Sequence, residues 1–164
     1  MRLFKLALVG IVAIFLLMTA ISSLFPSNII VTRGAGINAP ADSVKQYIAL
    51  FDEWNRWMEG AKNGEYKVTS KDSVHAYFGT VVITLLSIKN NIWRHEWKNR
   101  TFTQVSTFQI VPLNNGSCTV QWQFEQHIGW YPWAKIGSML TEKIIGSSIE
   151  KSLNNLKALA EKTE

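Results

Sequence analysis

Hydrophobic and polar positions follow a different rule in each part of this chain. From residue 6 to residue 25 there is no alternation: nothing is charged, and only Thr19, Ser22 and Ser23 are clearly polar. Twenty residues at the helical rise of ~1.5 Å span roughly 30 Å, the hydrocarbon thickness of a bilayer, so the run predicts one transmembrane helix. Arg2 and Lys5 precede it and the next positive charge is Arg33. The positive-inside rule then places the N-terminus in the cytoplasm and the rest outside. A cleaved signal peptide is the rival reading, with Ala20 and Ser22 as the small residues of a processing site. Bulky Ile21 and Phe25 beside that site, and the length of the run, favour retention.

After a break at Pro26-Ser27-Asn28 the pattern reads strand, helices, strands, long helix. Residues 29–37 are extended, with Ile30, Thr32 and Ile37 favouring a strand and Gly34 and Gly36 weakening its middle. A turn over residues 38–42 leads into a helix in which Val44, Tyr47, Ile48 and Phe51 recur at helical spacing. Trp54 and Trp57 continue it through a second short turn, ended by Gly60 and Asn63-Gly64. From residue 65 to residue 129 the period falls to two. Strands are predicted over 65–69, 74–88, 92–98, 102–113 and 117–129, with turns at Asn90-Asn91, Lys98-Asn99-Arg100 and Asn114-Asn115-Gly116. Such a succession is an antiparallel meander, not a set of parallel crossover units. The last segment, about 133–162, is one amphipathic helix that Pro132 suits as its first turn. Leu140, Ile144, Ile145, Ile149, Leu153, Leu156 and Ala160 make its apolar face, opposite Glu142, Lys143, Glu150, Lys151 and Lys157. The class is therefore α+β, a long helix laid over a curved antiparallel sheet.

The chain's 164 residues allow one ordinary domain plus an appendage, and a 47% hydrophobic content excludes a disordered chain. The net charge of +5 is less basic than it looks. Setting Arg2 and Lys5 aside leaves 15 basic residues against 12 acidic ones, net +3, and they are intermixed, as in Arg94-His95-Glu96. No basic stripe marks a nucleic-acid footprint. The lone Cys118 excludes an intramolecular disulfide and a cysteine-based metal knuckle. There is no G-x-S-x-G, no H-E-x-x-H and no phosphate-binding glycine loop. His75, His95 and His127 lie far apart, and the adjacent Asp52 and Glu53 point apart on a helix. The expectation is no metal, no cofactor and no assigned catalytic residue.

Alternation along the strands is more informative. Trp93, His95 and Trp97 share one face, and Arg94, Glu96 and Lys98 the other, which must be the outer one. Val120, Trp122, Phe124, Gln126 and Ile128 form a matching inner face, with Glu125 and His127 outward. Phe102, Gln104, Ser106, Phe108 and Ile110 join them from the neighbouring strand. The wall is aromatic with isolated polar groups, the make-up of a small-molecule site and equally of an aromatic core. Trp93, His95, Trp97, Phe108, Trp122, Phe124 and Gln126 are the candidate ligand-binding residues. Trp54 and Trp57 plug one end of the sheet or line the same space. Trp130, Tyr131 and Trp133 cluster ahead of the last helix, at the rim of a pocket or at a membrane surface. Gly146 costs its helix roughly 1 kcal/mol against Ala, which close packing or room for a ligand would explain.

In sequence order, Ile37-Asn38-Ala39-Pro40-Ala41-Asp42-Ser43-Val44, then Phe51-Asp52-Glu53-Trp54-Asn55-Arg56-Trp57, a meander, and a closing segment from Ile145 to Lys157 resemble the START-like (SRPBCC) superfamily. Within it the chain is similar to the polyketide cyclase/dehydrase-like group. The resemblance covers nearly all of residues 29–164. It implies a helix-grip fold whose cavity, between sheet and C-terminal helix, takes an apolar ligand; it does not imply catalysis. The chain departs from that pattern between Met58 and Lys71, where a longer glycine-rich stretch is usual, so the first hairpin is expected to be reduced.

These readings converge on a membrane anchor over residues 1–28 and an exported, periplasmic or extracellular, ligand-binding domain over 29–164. The expected partners are a small hydrophobic molecule (a lipid or aromatic metabolite) and the membrane, not nucleic acid. Two alternatives stay open: a cyclase- or dehydratase-type enzyme with His95 as acid/base, and a ligand-free module that grips a protein segment.

Overall fold

The structure, a computed structural model, describes residues 2–24, 27–129 and 131–162, and of these the side chains of all but 132, 136 and 138–141. Phe25, Pro26, Trp130 and the Leu140 side chain, to which the sequence pattern assigned places, lie outside the described residues. Helix α1 (Arg2–Ser23) comes first, followed by β1 (Asn28–Ile37), α2 (Ala41–Ala49), a 3₁₀ turn (Phe51–Glu53) and the short α3 (Trp54–Trp57). Six strands follow: β2 (Val68–Ser70), β3 (His75–Phe78), β4 (Val81–Lys89), β5 (Ile92–Lys98), β6 (Thr103–Pro112) and β7 (Cys118–His127). Helix α4 (Pro132–Ala160) closes the chain.

All seven strands form one curved antiparallel sheet in the order β1-β7-β6-β5-β4-β3-β2. The meander from β2 to β7 needs only local turns. Asn90 and Asn91, both at positive φ (49° and 62°), make the two-residue β4–β5 hairpin turn that their side chains tolerate. β1 instead pairs along its whole length with β7, Asn28 opposite His127 and Ile37 opposite Cys118. A register shift between Leu85 and Ser87 bends β4.

The concave face carries the core. Ile37, Ile83, Phe108 and Val120 from the sheet, Val44 and Ile48 from α2, and Ile149, Leu153 and Leu156 from α4 are all at most 2% exposed. α4 packs chiefly on β1 and is tied by polar bonds to α3 and the residues just after it. Asn155 donates to the Trp57 carbonyl at 3.1 Å, and the Glu59 N–H donates to Ser152 Oγ at 2.9 Å. Just past the end of α4, Glu161 accepts from the Asn38 N–H at 2.8 Å.

Three expectations are corrected. The strand expected over 74–88 is two strands, because Gly79 (φ +59°) turns the chain between β3 and β4. A Cβ on Gly79 would stand 2.8 Å from the Tyr66 ring, so Gly79→Ala combines a left-handed backbone with a clash. It should cost about 1–2 kcal/mol in chemical denaturation. A loss within error of zero would show that this turn relaxes freely. The first strand of the meander begins at Val68, not at residue 65, since the Tyr66 N–H bonds back to Gly60 and holds that stretch in a loop. Ile144, assigned to the apolar face of the last helix, is 69% exposed. Five residues before Ile149 is 500° of helix, nearly the opposite side, whereas Ile145, four residues away, packs against the core.

Helix α1 is 22 residues long, so roughly 33 Å at the helical rise, and is long and apolar enough to cross a membrane. Its large apolar side chains are bare, and its one buried residue is Ser22.

Candidate functional site

Alternation in β5, β6 and β7 places the aromatic side chains as their sequence parity requires. Trp93, His95 and Trp97 are buried while Arg94 and Lys98 are exposed; Phe108, Trp122 and Phe124 are buried on the same face. Strand pairing arranges them in cross-strand rows. One row runs Trp93, Phe108, Trp122 and Arg33 across β5, β6, β7 and β1. The next runs His95, Ser106, Phe124 and Val31, and the third Trp97, Gln104, Gln126 and Ile29.

Much of the space above these rows is filled from the other side. Trp54, fully buried, stacks on Trp97 at 5.8 Å and meets His95 edge-on at 5.2 Å. Trp57 packs on Phe108 and Trp122, and Phe51 on His95. Of the two places the sequence left open for Trp54 and Trp57, the structure gives them a central one, on the concave face. Their indoles are pinned there, Trp54 Nε1 donating to the Ile48 carbonyl at 2.9 Å and Trp57 Nε1 to the Tyr47 carbonyl at 3.0 Å.

Polar groups on this face divide into satisfied and unsatisfied ones. Trp97 Nε1 donates to Ser106 Oγ at 2.8 Å, and Gln104 Nε2 to Gln126 Oε1 at 2.8 Å. Trp93 Nε1, Trp122 Nε1 and His95 Nδ1 are buried with no hydrogen-bond partner among the described residues. Burial among rings, where a charge would lose its hydration, holds His95 well below the usual imidazole range, at about 4. The imidazole is therefore neutral at neutral pH. Its ring neighbours are Phe51, Trp54 and Phe108, and among the described residues nothing hydrogen-bonds its Nδ1 to align it.

The other histidines lie elsewhere. His75 pairs with Asp72 at 3.0 Å on the surface, and His127 meets Asn28 Oδ1 at 2.8 Å. Among the described residues no three His, Cys, Asp or Glu side chains come together as a metal site.

A cavity of about 540 Å³ opens where this face runs out, between the paired ends of β6 and β7 and the first turns of α4. Phe102, Ile128, Tyr131 and Trp133 line it together with the polar Thr101, Thr103, Gln126 and His127. Of the seven candidate ligand-binding residues, Gln126 is the one on this lining; Trp93, His95, Trp97, Phe108, Trp122 and Phe124 form the packed wall that continues from it. Tyr131 and Trp133 stack on each other at 5.4 Å and stand exposed at the mouth. Phe102 and Ile128 were legible as inward by parity, but the chain offered no sign that α3 would fill the middle and leave this end open. Arg33 was also missed, although the parity of Ile29, Val31, Ala35 and Ile37 puts it on the inner face.

Known proteins resemble this arrangement. A family model described as polyketide cyclase / dehydrase and lipid transport matches residues 28–161. A START superfamily protein from Mycobacterium smegmatis superposes with a TM-score of 0.63 at 15% identity, covering 82% of this chain and 99% of that one. A protein from Thermobifida fusca gives 0.65 at 18% identity, covering 82% and 95%. Truncated norcoclaurine synthase from Thalictrum flavum gives 0.56 at 11% identity, covering 80% and 92%. No curated protein matches the chain by sequence. At these identities the structural likeness defines the fold, which is START-like.

Proposed function

The chain belongs to the polyketide cyclase / dehydrase and lipid transport family, and from that premise we propose that residues 29–164 bind a small hydrophobic molecule, a lipid or aromatic metabolite, between sheet and C-terminal helix. The observation that carries this reading is the cavity beside Phe102, Gln126 and Ile128. Its volume of about 540 Å³ falls within the range of small-molecule sites, and its lining sets apolar Phe102, Ile128 and Trp133 beside polar Thr101, Thr103, Gln126 and His127 that can orient a guest. Binding without turnover fits the chemistry better than catalysis does. A cyclase or dehydratase needs a positioned acid/base within hydrogen-bond reach, and the buried His95, held at about 4, is a weak base whose Nδ1 has no partner among the described residues to orient it.

In the same proposal residues 1–28 anchor the domain, with the N-terminus cytoplasmic and the domain exported. Only residues 24–27 separate α1 from β1, at most roughly 17 Å of extended chain. β1 opens at Asn28, paired with His127 on the cavity lining. The cavity mouth, with its exposed Tyr131 and Trp133, therefore faces the end of the domain from which the anchor leaves. Such aromatics favour a bilayer interface.

The test is to purify the full-length chain from membranes and analyse it by native mass spectrometry and solvent extraction. A near-stoichiometric apolar molecule is expected, together with retention of the protein in alkaline-washed membranes. A protein that carries nothing and gains nothing from added lipid would sink the binding reading. A mature chain beginning near Ser23 would replace the anchor with a signal sequence.

A further inference from the structure

Gly146 lies in the middle of α4, where glycine weakens a helix, and its neighbour explains it. A Cβ at this position would stand 2.6 Å from Arg33 Nη2 and 3.2 Å from Cζ. The helix thus passes β1 with a bare backbone that leaves room for a guanidinium. Arg33 is half-buried on the concave face, and among the described residues its one hydrogen bond is from Nη1 to the neighbouring Thr32 carbonyl at 2.8 Å. Among the described residues no carboxylate lies within 4.0 Å of it.

A guanidinium brought under a helix without a counter-ion is costly unless something acceptor-rich meets it. Its surroundings have the same bias. Trp122, directly opposite Arg33 in the strand register, is 3% exposed and has an indole N–H with no acceptor among the described residues. Trp93, at the far end of the same row, is 5% exposed and lacks an acceptor as well. The row carries donors at three of its four positions and offers them almost nothing to bond.

We propose that Arg33, seated against Gly146 beside Trp122, takes the anionic head of an amphiphilic ligand, a carboxylate or phosphate, whose apolar tail runs along β1 past Val31 and Ile29 to the cavity at Gln126 and Ile128. This rests on the reading of that cavity as a ligand site and narrows the ligand to an anionic amphiphile. Guanidinium geometry suits either head group, which it grips through two parallel N–H bonds.

The test uses the full-length chain in phosphatidylcholine nanodiscs, with tryptophan quenching by dibromostearic acid, dibromostearyl phosphate and dibromostearyl alcohol. The tails are identical, so differences report the head. One or both anions should bind about 10- to 100-fold more tightly than the alcohol, as expected for a charge-assisted bond formed away from water. Arg33→Gln should erase that preference while leaving the alcohol unchanged, and Arg33→Lys should keep part of it. Should Arg33→Gln fail to fold, Gly146→Ala, which displaces the guanidinium without removing it, carries the same expectation. Whichever anion binds better identifies the head.

Equal binding of acid, phosphate and alcohol, unaltered by Arg33→Gln, would overturn the head-group site and leave the hydrophobic pocket standing. Weakening of all three alike by Arg33→Gln would make Arg33 a packing brace. Full competition by tail-free inorganic phosphate would make the site one for free anions. No quenching by any of the three would remove the pocket and the head-group site together.

Discussion

Trp54→Ala should destabilise the domain by about 3–5 kcal/mol, the cost of removing a large aromatic side chain from a core that cannot close over the gap. Trp54 is fully buried and meets the rings of Phe51, Trp57, His95, Trp97 and Phe108 at centroid distances between 5.1 and 5.8 Å. No single neighbour can move into its volume without leaving another contact. Its indole also bonds the Ile48 carbonyl, so α2 loses an anchor as well. Equilibrium urea unfolding monitored by circular dichroism gives the number. A loss below about 1 kcal/mol would mean that α3 sits loosely on the sheet and that the filled centre described above is a partly open one. Trp54→Phe keeps most of the volume and should recover much of the loss, but not the indole bond.

Acid should weaken the fold through His95. Its folded-state value of about 4 lies below the 6.5 of an unstructured imidazole. Between those values the unfolded chain binds the proton and the folded chain does not, so stability rises with pH across that window. The contribution is fully present above about 6.5 and is lost progressively as the pH falls through 4, by roughly 3 kcal/mol in all. Stability measured by denaturant titration at several pH values between 7 and 4 should show this slope. His95→Phe, which removes the titrating group, should flatten the same window. An unchanged slope in the variant would mean that the imidazole gains solvent or a partner when protonated.

The two periods of the chain carried most of the fold. Strict alternation in 92–98 and 118–127 gave β5 and β7 nearly to the residue, because their outer faces are charged or polar at every second position. The 74–88 run hid its turn, since Gly79-Thr80 interrupts an apolar stretch with none of the Asn-rich chemistry that marked the later hairpins. The candidate site was half legible. Parity told which residues face inward, and the burial of Trp93, His95, Trp97, Phe108, Trp122 and Phe124 follows from it. Parity within a strand carries no information on what packs from across the core. For that reason the seating of Trp54 over His95 and of Gly146 on Arg33 emerges only in three dimensions.

The pairing of β1 with β7 sets the order in which this protein can complete itself. Asn28 and His127 meet across the whole meander, and α4, which lies over β1, is made later still. Contacts between strands close in sequence can form first; those that close a long loop come after, when enough partners have gathered to offset the lost chain entropy. During synthesis β1 leaves the ribosome long before its partner exists, with an unpaired edge and an inward-facing Arg33. If α1 is held in a bilayer from the start, that waiting strand is held beside the membrane too. The last act of folding is then a docking of the finished meander and α4 onto a strand already fixed at the membrane surface.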